Sequence, residues 1–138
     1  MISVRKQEVV KLENVLHLYQ AVGWTNYTHQ PQMLEKSLSH SLAIYLALDG
    51  EAIVGLVRLV GDGFSSVFVQ DLIVLPSYQR QGIGSALMKE ALRDFKDAYR
   101  VQLATDQTEK NLEFYRSLGF ETLSTYDCTG MIWVDRKR

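Results

Sequence analysis

A strand, a glycine-bearing turn and a helix follow one another in the middle of the chain. The strand-forming run 67–75 leads into residues 79–85, which hold two glycines, and the amphipathic segment 86–95 comes next. Because glycine lets the backbone turn with no side chain in the way, this order predicts a tight strand-to-helix connection. The connection would end at the N-terminus of the helix.

The residues of this turn indicate what it could bind. The turn reads Gln79-Arg80-Gln81-Gly82-Ile83-Gly84-Ser85. It would present a row of free backbone N–H groups where the helix macrodipole favours an anion, and Arg80 adds a positive charge. We therefore expect a phosphate or pyrophosphate here. A tight turn without a ligand would explain one glycine, but neither the second glycine nor the polar residues before it.

Two other phosphate-binding patterns do not fit the turn. A dinucleotide-binding turn of the Rossmann type needs the pattern GxGxxG and an acidic residue after the following strand. A Walker A loop needs Gly-Lys-Ser or Gly-Lys-Thr. The sequence has neither pattern at this position.

Hydrophobic periodicity and turn residues predict the other elements. We expect helices at 11–22, 31–38, 82–95 and 109–118, and strands at 2–5, 42–48, 52–60, 66–75, 101–104, 120–126 and 131–134. Residues 24–30 are interpreted as an ordered loop. Hairpins come first and a strand–helix–strand crossover follows. We therefore predict an α/β (α+β) fold with a mixed, mostly antiparallel twisted sheet of about six to seven strands and helices on both faces. Residues 1–138 would form a single domain.

Charge and composition narrow the partners. The chain has 15 basic and 16 acidic side chains, so its net charge of −1 gives no electrostatic footprint for nucleic acid. It has no apolar run long enough to span a bilayer and no signal-peptide core at its N-terminus. The single Cys128 cannot form an internal disulfide. We expect a cytoplasmic protein without nucleic-acid or membrane partners, and interpret Arg136-Lys137-Arg138 as a solvated tail.

Four segments of the chain stand at intervals that one known family shares. They are Gln79-x-x-Gly82-x-Gly84, the strand and proline Asp71–Pro76, the late helix and strand Asn111–Phe120, and the Asp49-Gly50 hairpin with Ile53-Val54-Gly55. With these segments the chain resembles the GNAT superfamily of N-acetyltransferases, from Ile2 to Val134. The resemblance implies the GNAT-like fold and acetyl-CoA as the cosubstrate.

The resemblance also implies where acetyl-CoA binds. The pyrophosphate loop of the family falls on Gln79, Arg80, Gln81, Gly82, Ile83, Gly84 and Ser85. The pantetheine arm would pair with Leu72, Ile73 and Val74, where a bulge in the family strand splays the sheet. Many members have an asparagine seven residues before their late-helix tyrosine, and this chain has Thr108 there. The sequence leaves open whether Thr108 or Asn111 contacts the cofactor. No histidine has a partner at metal-ligand spacing, so no metal is expected.

The implied reaction is direct attack of a primary amine on the thioester, which needs no nucleophilic side chain. Tyr115 matches the family tyrosine that protonates the leaving thiolate, although its apolar helix stripe also fits a core residue. The backbone N–H near Leu72 would donate to the developing oxyanion. Asp71 is the first candidate for the general base, because it lies on the long strand beside the expected acetyl site. A purely structural carboxylate is the alternative for Asp71, and Asp106, His29 and water are the other candidates for the base.

The sequence thus predicts an N-acetyltransferase that acts on a small-molecule amine or a peptide N-terminus. The alternative is a non-catalytic acyl-CoA-binding module, which the lack of an evident base motivates. A homodimer is included among the expected partners, because an exposed strand edge near the C-terminus would pair two chains.

Overall fold

The computed structural model describes residues 1–135, so the basic tail Arg136-Lys137-Arg138 lies outside the described residues. By the contacts between its residues, the chain divides into two compact units. The first is Met1–Leu103 and the second begins at Ala104. The single domain expected for residues 1–138 stays a prediction.

The first unit is built on one sheet. Its strands are β1 (Ile2–Lys6), β2 (Ala43–Asp49), β3 (Ala52–Gly61), β4 (Val67–Val74) and β5 (Val101–Leu103). Its helices are α1 (Leu12–Ala21), α2 (Thr25–Thr28), α3 (Pro31–Ser39) and α4 (Ile83–Asp94), with a 3₁₀ helix at Pro76–Tyr78. The strands stand in chain order, antiparallel except for the parallel pair β4 and β5. The mixed, mostly antiparallel sheet is confirmed, with five strands in the described residues instead of six to seven.

Helices cover both faces of this sheet, as expected. The helices α1 to α3 pack on one face against alternate residues of β2, namely Ile44, Leu46 and Leu48. Helix α4 lies on the other face, where Tyr45 donates a hydrogen bond to Asp94 over 2.7 Å. The two faces follow from the strand period of two residues, which directs neighbouring side chains to opposite sides.

Gly55 on β3 lies where the strand, its neighbour and α4 approach closely. A Cβ at Gly55 would stand 2.9 Å from Ile73 O and 3.3 Å from Leu87 Cδ1. Gly55→Ala is therefore expected to lower the free energy of unfolding by about 1–3 kcal/mol, measured by urea denaturation. Gly55→Val, with its larger side chain, should lower the free energy of unfolding further. Equal stability of both variants and the wild type would contradict the close approach.

The predicted loop at 24–30 was wrong in one respect, because it contains the short helix α2. Thr28 N donates to Trp24 O over 3.1 Å and His29 N donates to Thr25 O over 2.9 Å. Trp24 and Tyr27 pack their rings against Tyr19 of α1. A single helical turn shows no periodicity, so the sequence pattern could not reveal it.

The second unit holds helix α5 (Glu109–Ser117) and a 3₁₀ helix at Leu123–Tyr126. The strand predicted at 120–126 was wrong, because Thr122 Oγ1 contacts Ser124 and Thr125 hydroxyls and these local contacts compete with strand pairing. The strand predicted at 131–134 is also missing from the part of the chain that the structure describes. Strand propensity alone does not form a strand, since its backbone groups need a partner.

Candidate active site

The glycine turn contains two residues with positive φ angles, a conformation that glycine adopts more easily than other residues. After the 3₁₀ helix Pro76–Tyr78, Gln79 is extended, and Arg80 and Gly82 have positive φ angles of 66° and 78°. Gly82 has a left-handed backbone conformation and is the N-cap residue of α4, which begins at Ile83. Glycine adopts this conformation without steric cost, which explains the residue at this position.

Backbone amides collect at the start of α4. The first bond within the helix runs from Ala86 N to Gly82 O over 3.0 Å, so the amides of Ile83, Gly84 and Ser85 precede the helix ladder. Gly82 brings no side chain to cap them, and open space surrounds the place where a Cβ would stand. Amides without a partner in the helix ladder at a helix N-terminus suit an anion.

Two side-chain hydrogen bonds fix the turn to the sheet. Tyr78 donates through its hydroxyl to Asp49 Oδ2 over 2.6 Å, which connects the 3₁₀ helix to the turn between β2 and β3. Gln79 Nε2 donates to Val74 O over 3.2 Å at the end of β4. Arg80 and Gln81 are exposed beside these anchors. The turn is thus held at its N-terminal end, while Arg80 and Gln81 face solvent.

Strand β4 is bulged, and its pairing with β5 stops at the bulge. The pairing with β3 passes from Arg58–Asp71 to Leu59–Val69, which leaves Gln70 as an extra residue. Strand β5 pairs only with residues 67–69 of β4. Beyond Gln70, β4 has β3 on one side and, among the described residues, no strand on the other.

The backbone groups of Leu72 and Val74 face that unpaired side. Leu75 N donates to Val54 O over 2.9 Å, and residues two apart in an antiparallel strand direct their backbone groups the same way. Asp71 and Ile73 therefore face β3, whereas Leu72 and Val74 face away from it. An edge of this kind can accept an extended ligand as an additional strand.

Asp71 lies in a buried polar network. Its Oδ2 accepts hydrogen bonds from Arg58 Nε and the Tyr19 hydroxyl, and its Oδ1 accepts one from the Tyr27 hydroxyl, each over 2.8 Å. Asp71 and Arg58 are only 2% and 4% exposed. Gln70 in the bulge also donates through Nε2 to the Tyr27 hydroxyl, over 3.4 Å. The network connects β3 and β4 to α1 and α2.

The electrostatics of this network favour a charged pair with neutral phenols around it. Burial raises the pKa of Tyr19 and Tyr27 above the usual tyrosine value, and the charge of Asp71 adds to the shift. Burial by itself would lower the pKa of Arg58, but the Asp71 carboxylate and, to a smaller extent, Tyr19 and Tyr27 raise it, and the net direction is upward. The phenols therefore stay protonated and donate to the carboxylate.

This geometry favours the structural alternative for Asp71 over the role of general base. Both carboxylate oxygens already accept hydrogen bonds from protein donors, and a charged guanidinium stands against one of them. The partner Arg58 is a residue that the sequence reasoning missed. A signal was available, because Arg58 and Asp71 are the only charged residues in two neighbouring apolar strands and carry opposite signs.

The second unit holds the other predicted site residues. Tyr115 is half-buried on α5, its ring packs edge-on against Phe114 and Phe120, and burial raises the pKa of its hydroxyl. Thr108 caps α5, since its Oγ1 accepts a hydrogen bond from Asn111 N over 3.2 Å. The Asn111 side chain donates to Thr105 Oγ1 over 3.1 Å. Their roles toward a cofactor stay predictions.

The remaining candidates for the base, His29 and Asp106, are both exposed. His29 lies on a surface groove of about 840 Å³ along α3, whose other lining residues are Gln30, Pro31, Gln32, Met33, Lys36, Ser37 and His40. Within residues 1–135 there is no cluster of three or more histidine, cysteine or acidic side chains that could hold a metal ion. None of the helices described is both long and apolar enough to cross a bilayer.

Comparison with known proteins assigns the fold and the family. A solved acetyltransferase of the GNAT family from Streptococcus pneumoniae TIGR4 is 78% identical, with a TM-score of 0.92 and 99% coverage of both chains. A probable acetyltransferase from Staphylococcus aureus is 25% identical with a TM-score of 0.80, covering 98% of this chain and 100% of that one.

A curated relative from Arabidopsis thaliana, the chloroplastic GCN5-related N-acetyltransferase 1, is 29% identical over 97% of this chain and 68% of its own length. The match to the histone acetyltransferase TAP1 from Glycine max, 34% identical, covers 59% of this chain and only 35% of that protein. The family model of the acetyltransferase (GNAT) domain matches residues 40–122, which include β2 to β4, the glycine turn and α5. Because this match covers more than half of the chain, the protein belongs to the GNAT family of acetyltransferases.

Proposed function

We propose that this chain transfers an acetyl group from acetyl-CoA to a primary amine by direct attack of the amine on the thioester. The observation that carries the proposal is the set of amides of Ile83, Gly84 and Ser85, which precede the ladder of α4 beside a residue without a side chain. A GNAT family acetyltransferase from Elizabethkingia anophelis, 20% identical with a TM-score of 0.64, was solved with acetyl-CoA bound. Membership of the family supports the same donor here.

The chain has two features that suit the two halves of this donor. The pyrophosphate fits the amides of the turn, with Gln79, Arg80 and Gln81 beside it, because convergent N–H groups and a positive charge favour an anion. The pantetheine arm carries amides, and the outward backbone groups of Leu72 and the N–H of Val74 suit them as a strand partner would, whereas Val74 O already accepts from Gln79 Nε2. Acetyl-CoA, when bound, supplies an activated acetyl group and a thiolate leaving group.

Three groups of the chain would then assist the transfer. The amine nitrogen bonds to the acetyl carbon, its extra proton passes to water, and the carbon–sulfur bond breaks, while the Leu72 N–H stabilises negative charge on the carbonyl oxygen. The Tyr115 hydroxyl donates a proton to the leaving sulfur, and its raised pKa keeps that proton available at neutral pH. We assign Asp71 a positioning role instead of proton transfer, because its oxygens already accept bonds from Arg58 and the two tyrosines.

Two similar proteins support an amine acceptor. The rice serotonin N-acetyltransferase 2 is 30% identical over 66% of this chain and 48% of its own length. The structure of AAC(6')-Iy, 20% identical with a TM-score of 0.71, holds the bisubstrate analog CoA-S-monomethyl-acetylneamine. We propose a small-molecule amine or a peptide N-terminus as the acceptor.

The binding of acetyl-CoA is tested by isothermal titration with Gly82→Asp and the matched control Gly82→Asn. Both side chains meet the same positive φ and have similar size, so they share any backbone cost, but only Asp carries a negative charge. We expect Gly82→Asp to weaken binding by at least about tenfold relative to Gly82→Asn, through repulsion of the pyrophosphate. Equal affinities of the two variants would contradict the assignment of the pyrophosphate to this turn.

Transfer itself is tested by release of free coenzyme A thiol in the presence of a panel of primary amines. Turnover that depends on an amine and is lost in Gly82→Asp would support the enzyme. Tight binding of acetyl-CoA without turnover of any amine or peptide would favour the non-catalytic acyl-CoA-binding module.

A further inference from the structure

Gln70, the extra residue of the β4 bulge, has a side chain that the reaction described above does not use. It is exposed, whereas its neighbour Asp71 is buried. Both side chains nevertheless contact the Tyr27 hydroxyl of α2, since Gln70 Nε2 lies 3.4 Å and Asp71 Oδ1 2.8 Å from its oxygen. Successive side chains of a regular strand point to opposite faces, so the bulge is what directs both of them toward α2.

The hydrogen bonds of the Tyr27 hydroxyl determine which end of the Gln70 amide faces it. The hydroxyl proton goes to the Asp71 carboxylate, which can only accept. The hydroxyl oxygen is left to accept, and Arg58 Nη2 donates to it over 3.2 Å. Gln70 must also present its donor Nε2 there, because its carbonyl oxygen would meet another acceptor. The opposite end of the amide, Oε1, has no hydrogen-bond partner within residues 1–135.

We propose that Gln70 Oε1 accepts a hydrogen bond from the attacking amine and so directs the nitrogen lone pair toward the acetyl carbon. The assignment rests on the proposed function. A neutral primary amine can donate one N–H to Oε1 while its lone pair stays free to attack. Gln70 precedes the oxyanion donor Leu72 by two residues, about 7 Å along a strand, which is within reach of a glutamine side chain and one hydrogen bond.

A neutral acceptor suits this step better than a carboxylate would. A carboxylate beside the amine would favour the ammonium form, which has no lone pair for the attack. The charges that orient the amide belong to Arg58 and Asp71, which pair with each other over 2.8 Å inside the buried network. They act on Gln70 only through the Tyr27 hydroxyl. The amide oxygen can therefore bind the neutral amine without favouring its protonation.

Steady-state kinetics of Gln70→Leu tests the contact, with serotonin and alanylalanine as the amine probes. Leucine has a similar size but no acceptor, so we expect kcat/KM for the amine to fall by about tenfold, the loss of one hydrogen bond. The affinity for acetyl-CoA, measured by titration, should stay unchanged. The matched control is Gln20→Leu, at an exposed glutamine of α1, which should keep the wild-type kcat/KM.

Gln70→Glu distinguishes contact with the amine from support of the bulge. The α-amino group of alanylalanine titrates near pH 8 when free, roughly. A carboxylate at position 70 would raise the pKa of the bound amine, so the rise of kcat with pH should move upward by about one pH unit. A side chain that only supported the bulge would change the rate at every pH without moving this midpoint.

Tyr27→Phe tests the orientation of the amide. Without the hydroxyl the Gln70 amide can rotate, so kcat/KM for the amine should fall by about threefold or more although Gln70 is unchanged. Tyr45→Phe is the matched control, because it removes another buried tyrosine hydroxyl that donates to an aspartate, Asp94, on the opposite face of the sheet. Tyr45→Phe should keep the wild-type kcat/KM.

The outcomes separate this assignment from the proposed function. Wild-type turnover with equal kcat/KM in Gln70→Leu and Gln20→Leu would overturn the assignment alone, and so would an unmoved kcat midpoint in Gln70→Glu. Weaker acetyl-CoA binding in Gln70→Leu would also overturn it, by assigning the side chain to the cofactor. No wild-type turnover of either probe or of any other amine would overturn the assignment together with the proposed function.

Discussion

Arg58→Ala is expected to lower the free energy of unfolding by about 3–5 kcal/mol, the cost of removing one partner from a buried ion pair. The variant leaves the Asp71 carboxylate, 2% exposed, without the guanidinium that stands 2.8 Å away. Two tyrosine hydroxyls still donate to it, but neutral donors do not replace a full charge. Urea denaturation followed by circular dichroism measures the loss.

A double variant separates the cost of an unpaired charge from the net contribution of the pair. Arg58→Met combined with Asp71→Leu removes both charges and keeps much of the volume, so it should be less destabilised than the sum of the two single changes. Its free energy of unfolding should still be lower than that of the wild type, because the hydroxyls of Tyr19 and Tyr27 would lose their acceptor in a buried site.

A surface ion pair provides the control. Arg93 Nη2 stands 2.6 Å from Glu90 Oε2, closer than the buried pair, but the Arg93 side chain is 68% exposed. Arg93→Ala should cost no more than about 0.5 kcal/mol, because water already solvates both groups. If Arg58→Ala cost no more than Arg93→Ala, the buried network would not be what connects α1 and α2 to the sheet.

Features of the fold with a local cause could be predicted from the sequence. Pro31 begins α3 because its missing N–H and fixed φ suit the first helical position. Gly82 ends the turn before α4 because its left-handed φ is open to glycine. The hairpin turn at Asp49-Gly50 joins β2 and β3, because Gly50 adopts its positive φ of 63° easily.

Features that depend on distant partners could not be predicted. The bulge at Gln70 is a property of the register between β3 and β4, and no residue type in β4 predicts it. The two strands expected after α5 have suitable residues, yet strand propensity is decided by the neighbour that satisfies the backbone. In the candidate site, the glycine turn could be predicted from its own residues. The partners of Asp71 could not, because they lie 13 to 52 residues away along the chain.

Removal of the Tyr115 hydroxyl by Tyr115→Phe is expected to lower kcat by about 10²–10⁴-fold, the usual contribution of a general acid. Phenylalanine keeps the edge-on packing with Phe114 and Phe120, whose ring centroids lie 5.0 Å and 6.0 Å away, so the free energy of unfolding should change little. Acetyl-CoA affinity by titration should also stay the same. A loss in kcat alone would then report on the hydroxyl.

The pH profile distinguishes the proton donor from a packing residue. A general acid must be protonated, and burial raises the pKa of Tyr115, so the wild-type kcat should decline only at a pH above the ordinary tyrosine pKa. This alkaline decline should be missing in Tyr115→Phe. Tyr99→Phe, at a side chain 81% exposed, is the matched control and should keep both the rate and the profile. If Tyr115→Phe kept the wild-type kcat and its alkaline decline, Tyr115 would serve only the apolar packing of α5, and another group would protonate the thiolate.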